Sequence, residues 1–428
     1  MKIYVNEFLK KCVIIPILLM PILRYYNVWG TQLGFEALLK IITLGALILL
    51  ATKKNRDYAV NFALRKSGNW FAAFGIYAVL LSVICSLFIY INYSMSINVF
   101  AVFIISVIIV EIMLNGSIDF RDVFKIYSSI VWLMGIICVI QWILLICGIR
   151  LDFSLPTLAY TDSWKQLEKQ IFGMNDFPTA VFSEKAHFSE YIIPYIAFCL
   201  FSDKFVVNGR IKKAAFFSVL EIMTVSGNAV VLVFVCWVLY FLLYNKMDKN
   251  NKVILIVIGL IALVVAFSVL TRIETVNTML SMLFTNNENG YSKANYRVYR
   301  GFDVYSLLPG VQKIFGVGYF RMEAFSKMYN IVSSYDKSWN TYEYFSGFTQ
   351  VLLYFGTIGF ILMFKHIWTL FKGQSQLTKC LIILLVLISL SSEILFQGFH
   401  LMFMLLIIGT IQCDDESKKV GFEYNNYY

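Results

Sequence analysis

The residues of this sequence best suited to chemistry are arginines that lie outside its apolar segments. Six of the ten arginines fall in stretches that the charge pattern assigns to the non-cytoplasmic side of a membrane, where basic residues are usually scarce. Guanidinium groups bind phosphate oxygens through paired hydrogen bonds, and tyrosine rings offer apolar faces and a hydroxyl to a sugar. The combination suits a substrate that joins a pyrophosphate to a sugar. The six are Arg24, Arg150, Arg272, Arg297, Arg300 and Arg321.

A plainer role fits the same arginines, and the residues alone favour it. Loop arginines commonly pair with nearby acids or contact lipid headgroups. Several acids lie in the same large stretch, so this alternative stays open on composition. The partners considered are Glu274, Glu288, Asp303 and Glu323.

The candidates for acid–base chemistry are carboxylates and one imidazole. Glu184 and His187 are three residues apart, which predicts that they share one face of a helix, with Glu190 three residues further on. A carboxylate that positions an imidazole is a common acid–base arrangement. The structural alternative is a carboxylate favoured by the helix dipole and an imidazole facing headgroups. Glu221, an acid within an apolar segment and without an obvious local partner, is a further catalytic candidate.

The elements that must position these residues are apolar segments of about 20 residues, the length that crosses bilayer hydrocarbon. Hydrophobic residues make up 59% of the 428 positions and charged residues only 14%, unlike an ordinary soluble domain. The sequence therefore predicts an all-α polytopic membrane protein with about twelve transmembrane helices. Two pairs, at 212–245 and 378–412, are interpreted as helical hairpins. The predicted spans are 11–29, 32–51, 70–91, 95–114, 124–148, 186–202, 212–225, 227–245, 253–271, 344–364, 378–392 and 396–412.

The basic residues place both termini in the cytoplasm by the positive-inside rule, and the net charge of +10 needs no nucleic acid to explain it. Two long stretches then become extracytoplasmic loops. The many tyrosines of the second predict short amphipathic helices lying over the membrane mouth. The parts are transmembrane helices one to five at 1–148, a loop at 149–185, helices six to nine at 186–271, a large loop at 272–343, helices ten to twelve at 344–412 and a tail at 413–428.

Charged residues inside spans are costly in hydrocarbon and need a reason. Glu36 and Lys40 are four residues apart in the favourable order, which predicts a structural ion pair. The outer loops hold no acidic cluster with divalent-metal spacing, so neither a metal nor another cofactor is predicted. The absence of a Walker motif argues against an ATP-driven pump.

Four motifs follow one another within about residues 175–360. They are an acidic motif where a span begins, a Thr-x-Ser turn, an arginine that precedes a Gly-x-Gly by a short helix, and a helix with a Gly-x-x-Gly at Gly356 to Gly359. In this sequence they are Phe182 to Glu190, Met223 to Gly227, Asn295 to Arg300 with Ile314 to Phe320, and Gly347 to Gly359. In their order, their spacing and their fit to the predicted spans, these motifs resemble those of the Wzy-type O-antigen polymerase and O-antigen ligase superfamily.

The resemblance implies a membrane glycosyltransferase of the GT-C-like class that uses an undecaprenyl-diphosphate-linked saccharide as donor. A hydroxyl on the terminal sugar of a second lipid-linked unit attacks the anomeric carbon, and the lipid diphosphate leaves. The resemblance also implies a bacterial inner membrane, an active periplasmic side, and a chain-length regulator and a flippase as partners. The implied site comprises Glu184, His187 and Glu221 for catalysis, and Arg272, Tyr296, Arg297, Tyr299, Arg300, Gly316 and Gly318 for binding diphosphate and sugar.

Two alternatives to a polymerase stay open. A ligase of the same superfamily moves finished glycan onto lipid A core, but the ligase-type histidine before the Gly-x-x-Gly helix falls here near Phe345 or Ser346. That difference favours the polymerase. A polysaccharide flippase or secondary transporter also has about twelve spans, but such proteins commonly show paired halves with broken helices, and no such repeat is visible in this sequence.

Overall fold

In the computed structural model, the described residues form α-helices joined by turns and loops and include no β-strand, so the all-α prediction is confirmed for them. The described residues are 2–24, 26, 34–52, 62–89, 93–115, 122–149, 178–182, 184–202, 204–206, 208–224, 226–243, 293–335 and 345–425. The helices are α1 (Lys2–Leu23), α2 (Phe35–Thr52), α3 (Phe62–Ser86), α4 (Tyr93–Leu114), α5 (Val123–Ile146), α6 (Lys185–Phe201), α7 (Arg210–Met223), α8 (Gly227–Leu243), α9 (Lys293–Leu307), α10 (Gly310–Phe315), α11 (Met322–Tyr329), α12 (Gly347–Phe371), α13 (Gln376–Ser391) and α14 (Gly398–Asn425).

Four of these helices, α2, α3, α5 and α12, are long and apolar enough to cross a membrane. Shorter apolar helices of 10–17 residues accompany them, α8 and α13 among them. The structure thus supports a helical membrane protein, and the count of about twelve spans stays a prediction. The predicted span at 253–271 lies outside the described residues, as does most of the predicted loop at 149–185.

The predicted break near Thr224 is confirmed. Helix α7 ends at Met223, α8 begins at Gly227, and the amide and hydroxyl of Thr224 both donate to the carbonyl of Glu221, at 3.1 and 2.7 Å. At about 1.5 Å per residue, the 14 residues of α7 reach only about 21 Å, less than the roughly 30 Å of hydrocarbon. A helix of this length does not cross the hydrocarbon by itself, so the interpretation of 212–245 as a hairpin of two spans stays a prediction.

The chain divides into two compact units, Met1–Ile126 with Tyr296–Tyr428 (unit 1) and Tyr127–Asn295 (unit 2). The core of unit 1 contains an antiparallel pair of helices, α3 and α12. Near one end of the pair, Oγ of Ser67 lies 2.7 Å from Nδ1 of His366. Further along, the rings of Phe74 and Phe355 meet edge to face at 5.2 Å. The end of α3 therefore lies at the beginning of α12.

The predicted ion pair of α2 is confirmed in unit 1. Nζ of Lys40 lies 2.7 Å from Oε1 of Glu36, and the lysine is fully buried. The same amine donates to the carbonyl of Phe396 at 3.1 Å, and the amide of Gly398 donates to Glu36 at 3.0 Å. The pair thus joins α2 to the connection between α13 and α14, so its role is structural.

Unit 2 is built around α6, which is buried from His187 to Leu200. Helix α5 binds it through the hydroxyl of Tyr127, which donates to the carbonyl of Tyr191 at 2.6 Å. The turn before α6 is held by the amide side chain of Gln141, which bonds both the carbonyl and the amide of Ala180. These contacts position the start of α6, where two predicted site residues lie.

Candidate functional site

Three short helices, α9, α10 and α11, form the described part of the large polar stretch. Helix α11 buries Met322 and Phe325 and exposes Lys327, so it is amphipathic. The prediction of short amphipathic helices is confirmed to this extent. Their position over a membrane stays a prediction.

A kink in α12 receives the loop that follows α10. Gly356 has φ 62° and ψ −169°, which interrupts the helical hydrogen bonds around it. The amide of Val317 donates to the carbonyl of Leu353 at 3.1 Å, and that of Gly318 donates to Tyr354 at 2.9 Å. The loop amides thus satisfy carbonyls that the kink leaves without helical partners.

The kink and the loop fit together through two glycines. Gly316 has φ +89°, and a Cβ there would overlap the carbonyl of Tyr354. A Cβ at Gly356 would overlap the carbonyl of Ile314 and lie 2.6 Å from the amide nitrogen of Gly316. Two motifs that sequence analysis treats separately, the Gly-x-Gly and the Gly-x-x-Gly, are therefore one structural feature.

Arg321, which follows this loop, is a buried cation, 8% exposed. Its Nη1 donates to the carbonyl of Ile89 at 2.5 Å, just beyond the end of α3. The amide of Tyr319 donates to Oγ of Ser82 at 3.0 Å, so the loop is also held on the last turns of α3. The Arg321 guanidinium is thereby fixed at this end of the helix pair.

Arg300 is the second buried cation of this region, 4% exposed. Its guanidinium carbon lies 4.8 Å from the ring centroid of Phe345, a cation–π contact just before α12 begins. A Cβ at the neighbouring Gly301 would overlap the side chain of Thr349, so α9 lies directly on the first turn of α12. Tyr299, by contrast, is exposed.

Arg24 follows α1 and contacts the connection between α13 and α14. Its Nη2 lies 3.9 Å from Oε2 of Glu393, and its Nη1 donates to the carbonyl of the same residue at 3.4 Å. Gln397 also donates to the Glu393 carboxylate, at 2.9 Å. Burial raises the pKa of Glu393 to about 7, and the charge of Arg24 partly opposes the shift.

These three arginines lie at one end of unit 1. Arg321 contacts the end of α3, Arg300 contacts the beginning of α12, and these two helix ends adjoin in the antiparallel pair. The amide of Gly347 donates to the carbonyl of Ser392 at 3.0 Å. The connection between α13 and α14, which Arg24 contacts, therefore lies at the same end. We call this region the arginine end.

In unit 2, the predicted pair of Glu184 and His187 takes a different geometry from the one expected. Glu184 has extended backbone, φ −130° and ψ 146°, and is the N-cap of α6, while His187 is buried in the first turn. Because a cap residue lies outside the helix, the two do not share a continuous helix face. They occupy the two positions that approach each other in a capping box, although the Glu184 side chain makes no cap hydrogen bond.

Glu221 lies on α7, fully buried inside unit 2. Its electrostatic neighbours include Ser189 on α6 and Cys138 on α5, so two other helices of the unit adjoin it. Among the ion pairs of the described residues, none involves Glu221. A buried carboxylate without an ion-pair partner is costly, which keeps it a candidate for function.

The predicted site residues fall in both units. Glu184, His187 and Glu221 belong to unit 2, whereas the predicted binding residues that are described belong to unit 1. Arg272 lies outside the described residues, and Tyr296 and Arg297 lie in α9 with side chains outside them. The described binding residues are Tyr299, Arg300, Gly316 and Gly318.

Arg24 and Arg321 belong to the six arginines that the charge pattern singles out, but not to the site that the resemblance implies. The position of Arg321, three residues after Gly318, is a signal that could have included it, because a loop fixed by a Gly-x-Gly also fixes the next few residues of the chain. No sequence signal links Arg24 to Glu393, which is 369 positions away. Only the packed helices bring these two together.

Comparison with known proteins adds nothing to this geometry. No protein-family model matches the chain, and no curated protein matches it.

Proposed function

We propose that this protein is a membrane glycosyltransferase that polymerises lipid-linked oligosaccharide repeat units in O-antigen or capsule synthesis. A hydroxyl on the terminal sugar of one lipid-linked unit attacks the anomeric carbon of the saccharide on another. The bond from that carbon to the undecaprenyl diphosphate breaks, and the diphosphate leaves with its electron pair. The hydroxyl proton passes to a base of the protein.

The observation that carries the proposal is the arginine end. Arginine is rarely buried without a partner or a function, and Arg300 and Arg321, at one end of unit 1, are both almost fully buried. Fixed guanidinium groups in a water-poor site stabilise the negative charge that develops on a departing diphosphate. This stabilisation lowers the barrier to departure of the lipid diphosphate.

The proposed topology has about twelve spans, cytoplasmic termini and an arginine end facing the periplasm of a bacterial inner membrane. In that topology the connections after α1 and α3, the start of α12 and the connection after α13 all emerge on the same side. Their mutual contacts at the arginine end are what such a topology requires. The contacts therefore support chemistry at one side of the membrane.

The remaining roles follow from the resemblance and the geometry together. Arg297 and Arg300 on α9 bind the diphosphate, since they lie one turn apart on the helix that reaches the arginine end. Glu184, His187 and Glu221 of unit 2 are the candidate bases. Fixed arginine charge performs the electrostatic task in this proposal, and the lipid diphosphate is both substrate and leaving group.

The test is the surface glycan of cells that lack this chain. The proposal expects single repeat units on the surface in place of ladders, and ladders restored by the wild-type chain. Normal ladders in the deletion strain would reject any role in polymerisation. Long chains stranded on the lipid carrier would instead identify a ligase, and repeat units retained in the cytoplasm would identify a flippase.

Variants at the arginine end sharpen the test. Arg300→Ala is expected to give single repeat units, whereas Lys327→Ala, which removes an exposed charge from α11, is expected to leave ladders normal. Both variants must be present in the membrane at wild-type amounts. Equal ladders from the two variants would contradict a role for the arginine end.

A further inference from the structure

Helix α10 and the residue that ends α9 expose apolar side chains that the described chain does not cover. Leu307, Val311, Ile314 and Phe315 are between 44% and 63% exposed. Three of them, at 311, 314 and 315, share one face of α10 by helical spacing. The polar residues Gln312 and Lys313 lie on its other faces and are half-buried. A contiguous apolar group of this kind marks a contact with lipid or with another protein.

The position of α10 along the neighbouring spans gives its depth. The hydroxyl of Tyr77 donates to the carbonyl of Phe315 at 2.7 Å, and Tyr77 lies nine residues before the end of α3. Gly356, against which the end of α10 packs, lies nine residues after α12 begins. At about 1.5 Å per residue, both positions are roughly 13 Å from the arginine end. That is close to half of the roughly 30 Å of hydrocarbon.

A landmark on the opposite side supports the same depth. The amine of Lys365 lies 4.4 Å from the ring centroid of Trp70, a pairing of residue types found where spans leave the hydrocarbon. Lys365 is nine residues beyond Gly356 on α12, again roughly 13 Å away. The end of α10 therefore lies midway along the spans.

The spans on both sides of α10 carry the same kind of surface. Ile76 and Leu80 on α3, and Ile361 and Phe364 on α12, are all exposed apolar side chains of helices able to cross a membrane. Tyr77, which bonds the end of α10, lies between Ile76 and Leu80 along α3. We therefore expect the medium that covers these two helices to cover α10 as well.

Protein groups satisfy the backbone where α10 ends. The carbonyl of Lys313 accepts from the hydroxyls of Tyr305 and Thr357, each at 3.0 Å, and the carbonyl of Phe315 accepts from Tyr77. On a water-exposed helix, water molecules would donate hydrogen bonds to these carbonyls. Irregular backbone within a bilayer requires protein partners, because hydrocarbon offers none.

We propose that α10 is a re-entrant element: it enters the bilayer beside α3 and α12, its face at Val311, Ile314 and Phe315 is covered by lipid acyl chains, and the chain returns to the side from which it came. The sequence predicts that the short helices of the large loop lie over the membrane. For α10, this proposal replaces that prediction. The proposal is independent of the glycosyltransferase assignment.

Spin labels in lipid nanodiscs test the proposal. Val311→Cys and Ile314→Cys are labelled in the full chain after its eight native cysteines have been replaced. The expected accessibility to oxygen exceeds that to a water-soluble nickel complex, as at an Ile361→Cys control, whereas a Lys327→Cys control shows the reverse. Higher nickel accessibility at 311 and 314 would overturn the proposal in favour of a surface helix. Low accessibility to both reagents would overturn it in favour of a covering protein.

A second measurement leaves the native cysteines in place. A photoreactive benzoylphenylalanine at position 311 is expected to cross-link to nanodisc phospholipid on irradiation, as it should at 361 and not at 327. Failure to cross-link lipid at 311 while 361 does so would contradict insertion of α10. Because no substrate is involved, this result is separate from the outcome of the glycan test.

Discussion

Gly316 and Gly356 lie against each other so closely that neither position has room for a Cβ. One belongs to the loop after α10, and the other forms the kink of α12. Through this contact the loop amides reach the carbonyls of α12, and the loop then continues to Arg321. The depth of α10 and the position of a buried arginine thus depend on two glycines 40 residues apart.

Replacement of either glycine by alanine is expected to destabilise the protein. Both have positive φ, which costs an L residue of order 1–3 kcal/mol, and the overlap with backbone adds to that. The unfolding temperature of Gly316→Ala and Gly356→Ala in nanodiscs should fall by several degrees. The matched control is Gly45→Ala in α2, where a Cβ meets nothing within 4 Å and helix propensity predicts a slight gain. Similar behaviour of all three variants would contradict the tight packing.

Loss of Lys40 should destabilise unit 1 more than loss of the whole ion pair. Lys40→Met leaves the carboxylate of Glu36 without its cation, which typically costs about 3–5 kcal/mol for a buried pair. Glu36→Gln combined with Lys40→Met removes both charges and should recover much of the stability. Unfolding temperatures of the two variants decide the matter. An equal loss in both would indicate that the lysine acts through packing alone.

Arg297 is the residue whose replacement should affect polymerisation most. It lies one turn before Arg300 on α9, and loss of a bidentate phosphate contact costs about 2–4 kcal/mol at the transition state, a hundredfold or more in rate. Arg297→Lys should recover only part of the activity, because an ammonium cannot form paired bonds. The rate of chain extension in membranes measures this. Full activity of Arg297→Ala would exclude the assigned role.

The pKa of Glu393 predicts a pH-dependent stability. Its carboxyl has a pKa of about 7 in the fold, above the ordinary 4.5, so folding takes up a proton between these values. Its contribution to stability is therefore greatest below pH 4.5 and is lost as the pH rises through 7. The unfolding temperature of the wild type should fall more between about pH 5 and 8 than that of Glu393→Gln. Parallel profiles would show that Glu393 does not titrate in this range.

Local patterns predict much of this fold. The spacing of Glu36 and Lys40 predicts their ion pair, and the polar residues around Thr224 predict the break between α7 and α8, because both depend on neighbours within one helical turn. The short helices of the large polar stretch are likewise predicted from composition.

Local sequence patterns do not predict contacts between residues that are far apart in the chain. The pairing of Arg24 with Glu393, and of Gly316 with Gly356, depends on how whole helices pack, and no local spacing records it. The prediction that Glu184 and His187 share one helix face was wrong for a local reason. A three-residue spacing predicts a shared helix face only if both residues are helical, and α6 begins one residue after Glu184.

We propose that the arginine end holds a lipid diphosphate, and the binding of undecaprenyl diphosphate to the purified chain in nanodiscs tests this directly. Wild-type protein and Lys327→Ala should bind it with equal affinity and more tightly than they bind undecaprenyl phosphate. Arg297→Ala and Arg300→Ala should each weaken diphosphate binding tenfold or more while remaining folded. Equal affinity in all four proteins would contradict the claim.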